Sequence, residues 1–203
     1  MPAEGGVAAV LLAAGASRRF GEENKLLAHI DGRTLLERIV NTLTVAGISD
    51  IVVVTGHDRV AVETALRGRP VRFVHNASWD TGMGSSIAAG VAALDADMIG
   101  CFIVPGDVGL LPPALVSDLV NTFQKRKHDC IVYPTTAGGE QRNPVLWPRR
   151  HFGALLALPP DKGAKALLQL VAAECVPVVA DAAAISDIDT PADLEAARKL
   201  AGG

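Results

Sequence analysis

The chain has 203 residues, of which 49% are hydrophobic, and a mean hydropathy of +0.30, enough apolar material for one α/β domain with a full core. Its 19 basic and 22 acidic residues are interspersed and leave a net charge of −3, which excludes the basic footprint of a nucleic-acid binder and strong attraction to an anionic membrane. The apolar run from Val7 to Ala14 falls far short of the roughly 20 residues that span a bilayer. No secretory leader pattern is seen, so the expected location is the cytoplasm and the expected partner a small molecule.

In chain order, short β-branched runs alternate with longer amphipathic ones, the pattern of a mainly parallel sheet covered by helices on both faces. Strands are predicted at Val7–Ala13, Ile51–Thr55, Val71–His75, Ile99–Val104, Asp129–Tyr133, Val145–Trp147 and Cys175–Val179. The first two flank a helix over Leu35–Ala46, opened by a capping box in Thr34-Leu35-Leu36-Glu37. Further helices are predicted at Val60–Leu66, Ser85–Leu94, Pro113–Lys125, Ala164–Ala173 and Pro191–Ala201, the last capped by Thr190. The stretch from Thr135 to Pro160 breaks the alternation and reads as a loop-rich insertion serving the acceptor side of a site. Cys101, Cys130 and Cys175 are far apart, each in an apolar run, as expected of reduced structural thiols.

Chemistry concentrates after the first strand. Leu12, Ala13, Ala14 and Gly15 lead into Ala16-Ser17-Arg18-Arg19-Phe20-Gly21 and then Asn24-Lys25-Leu26-Leu27. Small residues at a strand end let backbone amides approach a ligand, and Ser17, Arg18, Arg19 and Lys25 add donors suited to a triphosphate. Neither the Walker spacing nor Gly-x-Gly-x-x-Gly is present, which argues against a P-loop enzyme and against a flavin or nicotinamide oxidoreductase.

This segment resembles the N-terminal signature of the MobA-like nucleotidyltransferases, Leu-Ala-x-Gly-x-Ser-x-Arg-x-Gly followed by Lys-Leu-Leu. Further likenesses follow in order: Thr55-Gly56-His57 at a strand end, Asn76-Ala77-Ser78-Trp79-Asp80-Thr81-Gly82-Met83-Gly84-Ser85-Ser86-Ile87, Gly106-Asp107, Arg142-Asn143-Pro144-Val145-Leu146, and Asp187-Ile188-Asp189-Thr190-Pro191. The resemblance implies a single Rossmann-like domain over residues 1–203, related to the nucleotide-diphospho-sugar transferases, with the nucleotide at the C-terminal strand ends. It implies a Mg²⁺-dependent transfer of a nucleoside monophosphate, in which Asp107 and Asp189 hold the metal and Lys25 and Arg19, with Asp107, form the catalytic group. Leu12, Ala13, Ala14, Gly15, Arg18, Thr55, Gly56, Gly82, Ser85 and Ser86 would bind the nucleotide, and Asn143 and Pro144 the acceptor. For Asp187 a structural role is expected, as for His57, which has no obvious carboxylate partner.

Leu-Ala-Ala-Gly at 12–15 resembles the molybdenum cofactor cytidylyltransferases more than the guanylyltransferases, which have Leu-Ala-Gly-Gly. The likeness implies CTP as donor and a molybdopterin-type acceptor, with a molybdenum hydroxylase as a possible downstream partner. The chain makes two departures from the family pattern: Val108-Gly109 replaces Met-Pro after the acid, and Arg142 replaces the Gly before Asn143. A non-catalytic carrier of the finished cofactor is the rival reading, but a carrier would tolerate loss of Lys25 or Asp107, and both are present.

Overall fold

The computed structural model describes residues 5–17, 20 and 24–202. Among them the strands are β1 (Val7–Ala13), β2 (His29–Ile30), β3 (Arg33–Thr34), β4 (Ile51–Thr55), β5 (Arg72–His75), β6 (Gly100–Pro105), β7 (Ile131–Thr135), β8 (Val145–Pro148) and β9 (Cys175–Val179). Seven of them build one sheet in the order β5-β4-β1-β6-β8-β7-β9. β8 runs antiparallel to both of its neighbours, and the other pairings are parallel, so the sheet is mixed but mainly parallel, as expected.

The helices are α1 (Leu35–Val45), α2 (Arg59–Ala65), α3 (Met83–Ala92), α4 (Pro113–Lys125), α5 (Phe152–Leu156), α6 (Lys165–Leu170) and α7 (Pro191–Ala201). Alternation along β1 explains the layering. Ala9, Leu11 and Ala13 pack in one core with Leu36 and Ile39 of α1 and Leu119 and Phe123 of α4. Ala8, Val10 and Ala14 pack in the opposite core with Ile87 and Val91 of α3 and Leu155 of α5. Each strand residue thus serves one face, because successive side chains point to opposite sides of a sheet. A fully buried side chain such as Phe123 contributes about 1.5–3 kcal/mol of burial free energy.

Both predicted helix caps form. The Thr34 hydroxyl accepts from the Glu37 amide at 3.2 Å, and the Glu37 carboxylate accepts from the Thr34 amide at 2.9 Å. Thr190 and Asp193 repeat the arrangement at 3.2 and 2.8 Å. Several element bounds shift, with β7 starting at Ile131 rather than Asp129 and α6 ending at Leu170 rather than Ala173, and other departures concern whole elements or a helix start. A short β2–β3 hairpin precedes α1, α3 begins at Met83 rather than Ser85, and the stretch read as loop-rich contains α5. Five residues are too few for a helical period to declare itself, so α5 was invisible to pattern reading. Cys101 and Cys130 are buried free thiols, while Cys175 is half-buried. Among the described residues no helix is long and apolar enough to cross a membrane.

The sheet order decides where a ligand can sit. β1 lies between β4 and β6, so the chain builds outward to one side of β1 and then returns to the other. The C-terminal ends of β1 and β6 therefore flank a crevice, the usual ligand location in such sheets.

Candidate active site

A cleft of about 500 Å³ opens at that crevice. One side is the β1 loop, with Leu12, Ala14, Gly15, Ala16, Ser17 and Phe20; Lys25 and Leu26 follow it. The α3 side contributes Trp79, Asp80, Gly82, Met83 and Ser86, and the strand ends supply Pro105, Gly106, Asp107 and Asp189.

Lys25 opens a short 3-10 turn whose cap is Asn24, with the Asn24 carboxamide oxygen accepting from the Leu26 amide at 3.0 Å. The same side chain donates to Asp58 at 2.9 Å, which anchors the turn to the start of α2. Held in this way, the Lys25 ammonium donates to Asp107 Oδ2 at 2.7 Å and to Asp189 Oδ1 at 2.9 Å. Two carboxylates far apart in sequence thus share one cation. A backbone clip brings them together: the Ile188 amide donates to the Asp107 carbonyl at 2.9 Å, and Val108 forms an antiparallel bridge with Asp187.

The Gly109 amide completes the clip by donating to the Ser186 carbonyl at 3.1 Å. Proline has no such donor, so the departure at this position gains a backbone bond that the family's usual residue could not make. A Cβ at Gly109 would also lie 3.1 Å from the Ile188 side chain, tighter than ordinary contact.

Electrostatics follow from the geometry. Burial by itself would lower the Lys25 pKa, but the charges and hydrogen bonds of Asp107 and Asp189 outweigh it and raise the value above that of a free lysine. Asp187 has much of its surface in solvent, yet partial desolvation of its carboxyl and then the negative charges of Asp107 and Asp189 push its pKa up to about 6. Arg142 and Lys25 are the positive charges that oppose this rise. Asp187 thus feels the charges of the site, while its backbone bridge to Val108 agrees with the structural role expected from sequence.

Of the remaining residues singled out in the sequence, Leu12, Ala14, Gly15, Gly82 and Ser86 line the cleft, while Arg18 and Arg19 lie outside the described residues. Ala13 points into the core that β1 shares with α1 and α4. The Thr55 hydroxyl is buried and spent on the Val74 carbonyl at 3.4 Å. Gly56 passes beneath Trp79, where an added Cβ would lie 2.6 Å from the Trp79 Cβ. The Ser85 hydroxyl donates to the Gly82 carbonyl at 2.8 Å and accepts from Asn76, whose amide also reaches Ser86 at 3.0 Å. Neither serine caps α3, because that helix starts two residues earlier. Asn143 and Pro144, joined by a cis peptide, enter β8 beside the C-terminal end of β6 and do not line the cleft. His57 does have a carboxylate partner, Asp58 at 3.0 Å, and packs edge-on against Trp79. Trp79 and Phe20 are cleft residues to which sequence reasoning assigned no role; an aromatic in a motif next to a Gly-rich turn was the available signal.

The MobA-like NTP transferase domain matches residues 9–184. The chain belongs to this family. Its members are nucleotidyltransferases, and the Rossmann-like sheet and the cleft at its strand ends agree with that class. A curated relative, nicotine blue oxidoreductase of Paenarthrobacter nicotinovorans, is 45% identical over 87 residues, a segment that spans 43% of each chain. Among solved structures, Rv0371c of Mycobacterium tuberculosis superimposes with a TM-score of 0.84 at 23% identity, covering 97% of this chain and 99% of that one. The same protein in complex with manganese gives 0.78 at 23% identity, covering 96% and 98%. A nucleotidyl transferase from Methanothermobacter thermautotroptrophicus gives 0.81 at 24% identity, covering 96% and 97%. At these identities the likeness is one of fold.

The donor set suits a hard divalent cation. Asp107 and Asp189 present oxygen ligands to a common point, now marked by the Lys25 ammonium. Among the described residues no group of three or more His, Cys, Asp or Glu side chains forms a ready cage. A pair of carboxylates suits an oxygen-preferring divalent cation better than a structural zinc, which favours sulfur and nitrogen ligands.

Proposed function

We propose that the chain is a Mg²⁺-dependent cytidylyltransferase that moves CMP from CTP to a molybdopterin-type acceptor and releases pyrophosphate. The observation that carries this reading is the Lys25 ammonium bridging Asp107 and Asp189 at the mouth of a Gly-rich cleft. Such a reaction is an in-line displacement: an acceptor phosphate oxygen bonds to the α-phosphorus of CTP as the bond to the bridging oxygen breaks, and pyrophosphate departs. The work left to the protein is positioning and charge stabilisation.

Asp107 and Asp189 would hold the cation, which when bound neutralises charge on the triphosphate. Lys25 supplies a fixed positive charge beside it, and the amides of the 14–17 loop approach the phosphates without a bulky side chain at Gly15, where an added Cβ would meet open space. The Ala14 methyl in the cleft wall supports a pyrimidine over a purine, since it narrows the space a larger base would need. Trp79 offers an aromatic surface against which a base could pack. The segment 135–160, with Asn143 and Pro144 at its centre, would serve the acceptor, and delivery to a molybdenum hydroxylase would follow.

The test is a screen of the four nucleoside triphosphates with and without molybdopterin, read by pyrophosphate release. CTP with Mg²⁺ and molybdopterin should give turnover, and Ala14→Gly should narrow the preference for CTP over GTP. Equal or better use of GTP by the wild type would overturn the nucleotide assignment. Turnover with a different acceptor would overturn the molybdopterin assignment while leaving the transferase reading intact.

A further inference from the structure

We infer that Arg142 is a specificity-determining residue on the acceptor side of the cleft, one that binds an anionic phosphate group of the acceptor. The inference rests on the transferase reading above and deepens it. Sheet order is the first observation. β6 separates β1 from β8, so the Gly-rich loop after β1 and the segment entering β8 lie on opposite sides of Asp107. Val145 pairs with Ile103, so the residues before Val145 continue past the C-terminal end of β6, the rim that carries Asp107. An acceptor that attacks opposite the leaving pyrophosphate approaches from this side.

The second observation is how the side chain is held. The Arg142 amide donates to the Pro134 carbonyl at 2.9 Å, which fixes its backbone to β7. Its Nη2 donates to Glu140 at 2.6 Å, but both members of that pair are open to water, with 39% of the Arg142 side chain and 66% of the Glu140 side chain exposed. A pair so exposed contributes little and exchanges readily for a better anion. The Arg142 Nε is buried and finds no acceptor among the described residues. A guanidinium offers donors in a planar fork that matches a phosphate or carboxylate two bonds at a time, so Nη2 and the unpartnered Nε would form a bidentate oxyanion site once the side chain swings off Glu140 and uncovers Nε.

The third observation is charge. Asp107, Asp187 and Asp189 crowd one rim, and a phosphate nucleophile must be brought towards them. Arg142 stands within electrostatic reach of Asp187 without pairing to it among the described residues, so its charge is available to offset that repulsion.

The experiment titrates the Mg²⁺-loaded protein, saturated with a non-hydrolysable CTP analogue, with inorganic phosphate and separately with acetate. Binding is followed by calorimetry and by the ¹⁵N resonance of the Arg142 Nε–H group. Phosphate should shift that resonance, and Arg142→Gln should weaken phosphate binding about 10- to 100-fold, as expected for loss of charge-assisted hydrogen bonds. Arg142→Lys should recover part of the affinity, and Glu140→Gln should tighten binding by releasing the guanidinium. Affinity for the CTP analogue should stay unchanged in all three variants. Acetate binding as tightly as phosphate overturns the phosphate assignment in favour of a carboxylate. Unchanged phosphate affinity in Arg142→Gln, or weaker binding in Glu140→Gln, overturns the subsite, since a merely structural Arg142 would lose its partner in either variant. Because phosphate binding is read without turnover, failure of the transferase reading would appear separately, as absence of pyrophosphate release with any acceptor.

Discussion

Replacing Lys25 with alanine separates three quantities that the structure ties together. The Lys25 side chain is 13% exposed, and its ammonium lies 2.7 Å from Asp107 and 2.9 Å from Asp189, whose side chains are 24% and 48% exposed. Breaking a buried ion pair costs about 3–5 kcal/mol and an exposed one about 0–1. Here the lysine is nearly buried but its partners reach water, so a loss of about 1–2 kcal/mol is expected, or a melting point lower by roughly 2–8 °C for a chain of this size. Two carboxylates relieved of an internal cation should bind an external one more tightly, and about 10-fold for Mn²⁺ follows from removing one unit of repulsion at close range. Turnover should nevertheless fall by about 10²-fold or more, because the charge beside the triphosphate is gone. The assays are a thermal melt under chelation, calorimetric titration with Mn²⁺, and pyrophosphate release. Mn²⁺ affinity equal to or weaker than that of wild type, or undiminished turnover, would refute the argument that lysine and metal share one pair of ligands.

Asp107→Asn and Asp189→Asn should each lower Mg²⁺-dependent pyrophosphate release by about 10²-fold, and the double variant should be little worse than the poorer single one if both ligate one ion. Full activity in both single variants would remove the metal role. In metal-free buffer, Asp187 ionises less readily in the folded chain, near 6, than its ordinary 3.8. The folded state therefore binds the extra proton, and stability contributed by wild-type Asp187 falls as pH rises from about 4 to about 6. Relative to wild type, Asp187→Asn should gain stability across that window and hold a constant advantage above it, and a flat difference in melting point would refute this. A Cβ at Gly84 would come within 2.2 Å of the Pro159 carbonyl and 2.7 Å of the Lys162 carbonyl. Gly84→Ala should then cost about 1–3 kcal/mol as the segment packed on α3 is displaced, and an unchanged melt would show that this contact yields freely.

Much of the fold was readable because its elements are long relative to their periods. β4 is buried along its whole length, α1 announced itself by a capping box, and α7 by Thr190 as cap with Pro191 at its first position. The β2–β3 hairpin was missed although Asp31-Gly32 is a strong turn signal; both residues have positive φ, at 49° and 73°. With two residues on each side of that turn, no alternation existed to support it. At the site, the loop after β1, Lys25, Asp107 and Asp189 were legible as chemistry-bearing types at strand ends. The place of Asp187 beside these charges was not, because it depends on the pairing of Val108 with Asp187 at a sequence separation of 79, which local pattern does not encode. The placement of the serines was hidden for a similar reason: Asn76 holds both from another segment, and Ser86 lines the cleft while Ser85 bonds to the Gly82 carbonyl.

The span of the lysine's two contacts sets a clock on the protein's own synthesis. Asp107 lies 82 positions beyond Lys25, and Asp189 lies 164 beyond it. At about 5–20 residues per second, a ribosome makes Lys25 roughly 8–33 seconds before the second carboxylate exists. Ile188, Leu194 and Ala197 must then dock on Ile30 and Leu35, which belong to the opposite end of the chain, before Asp189 can reach the ammonium. A nascent chain in this interval has the Gly-rich loop and Asp107 but lacks Asp189, so the ammonium can meet only one of its two carboxylates. The three-way contact therefore forms only once segments distant in sequence have met, and under the proposed function the cation site would be complete from that moment.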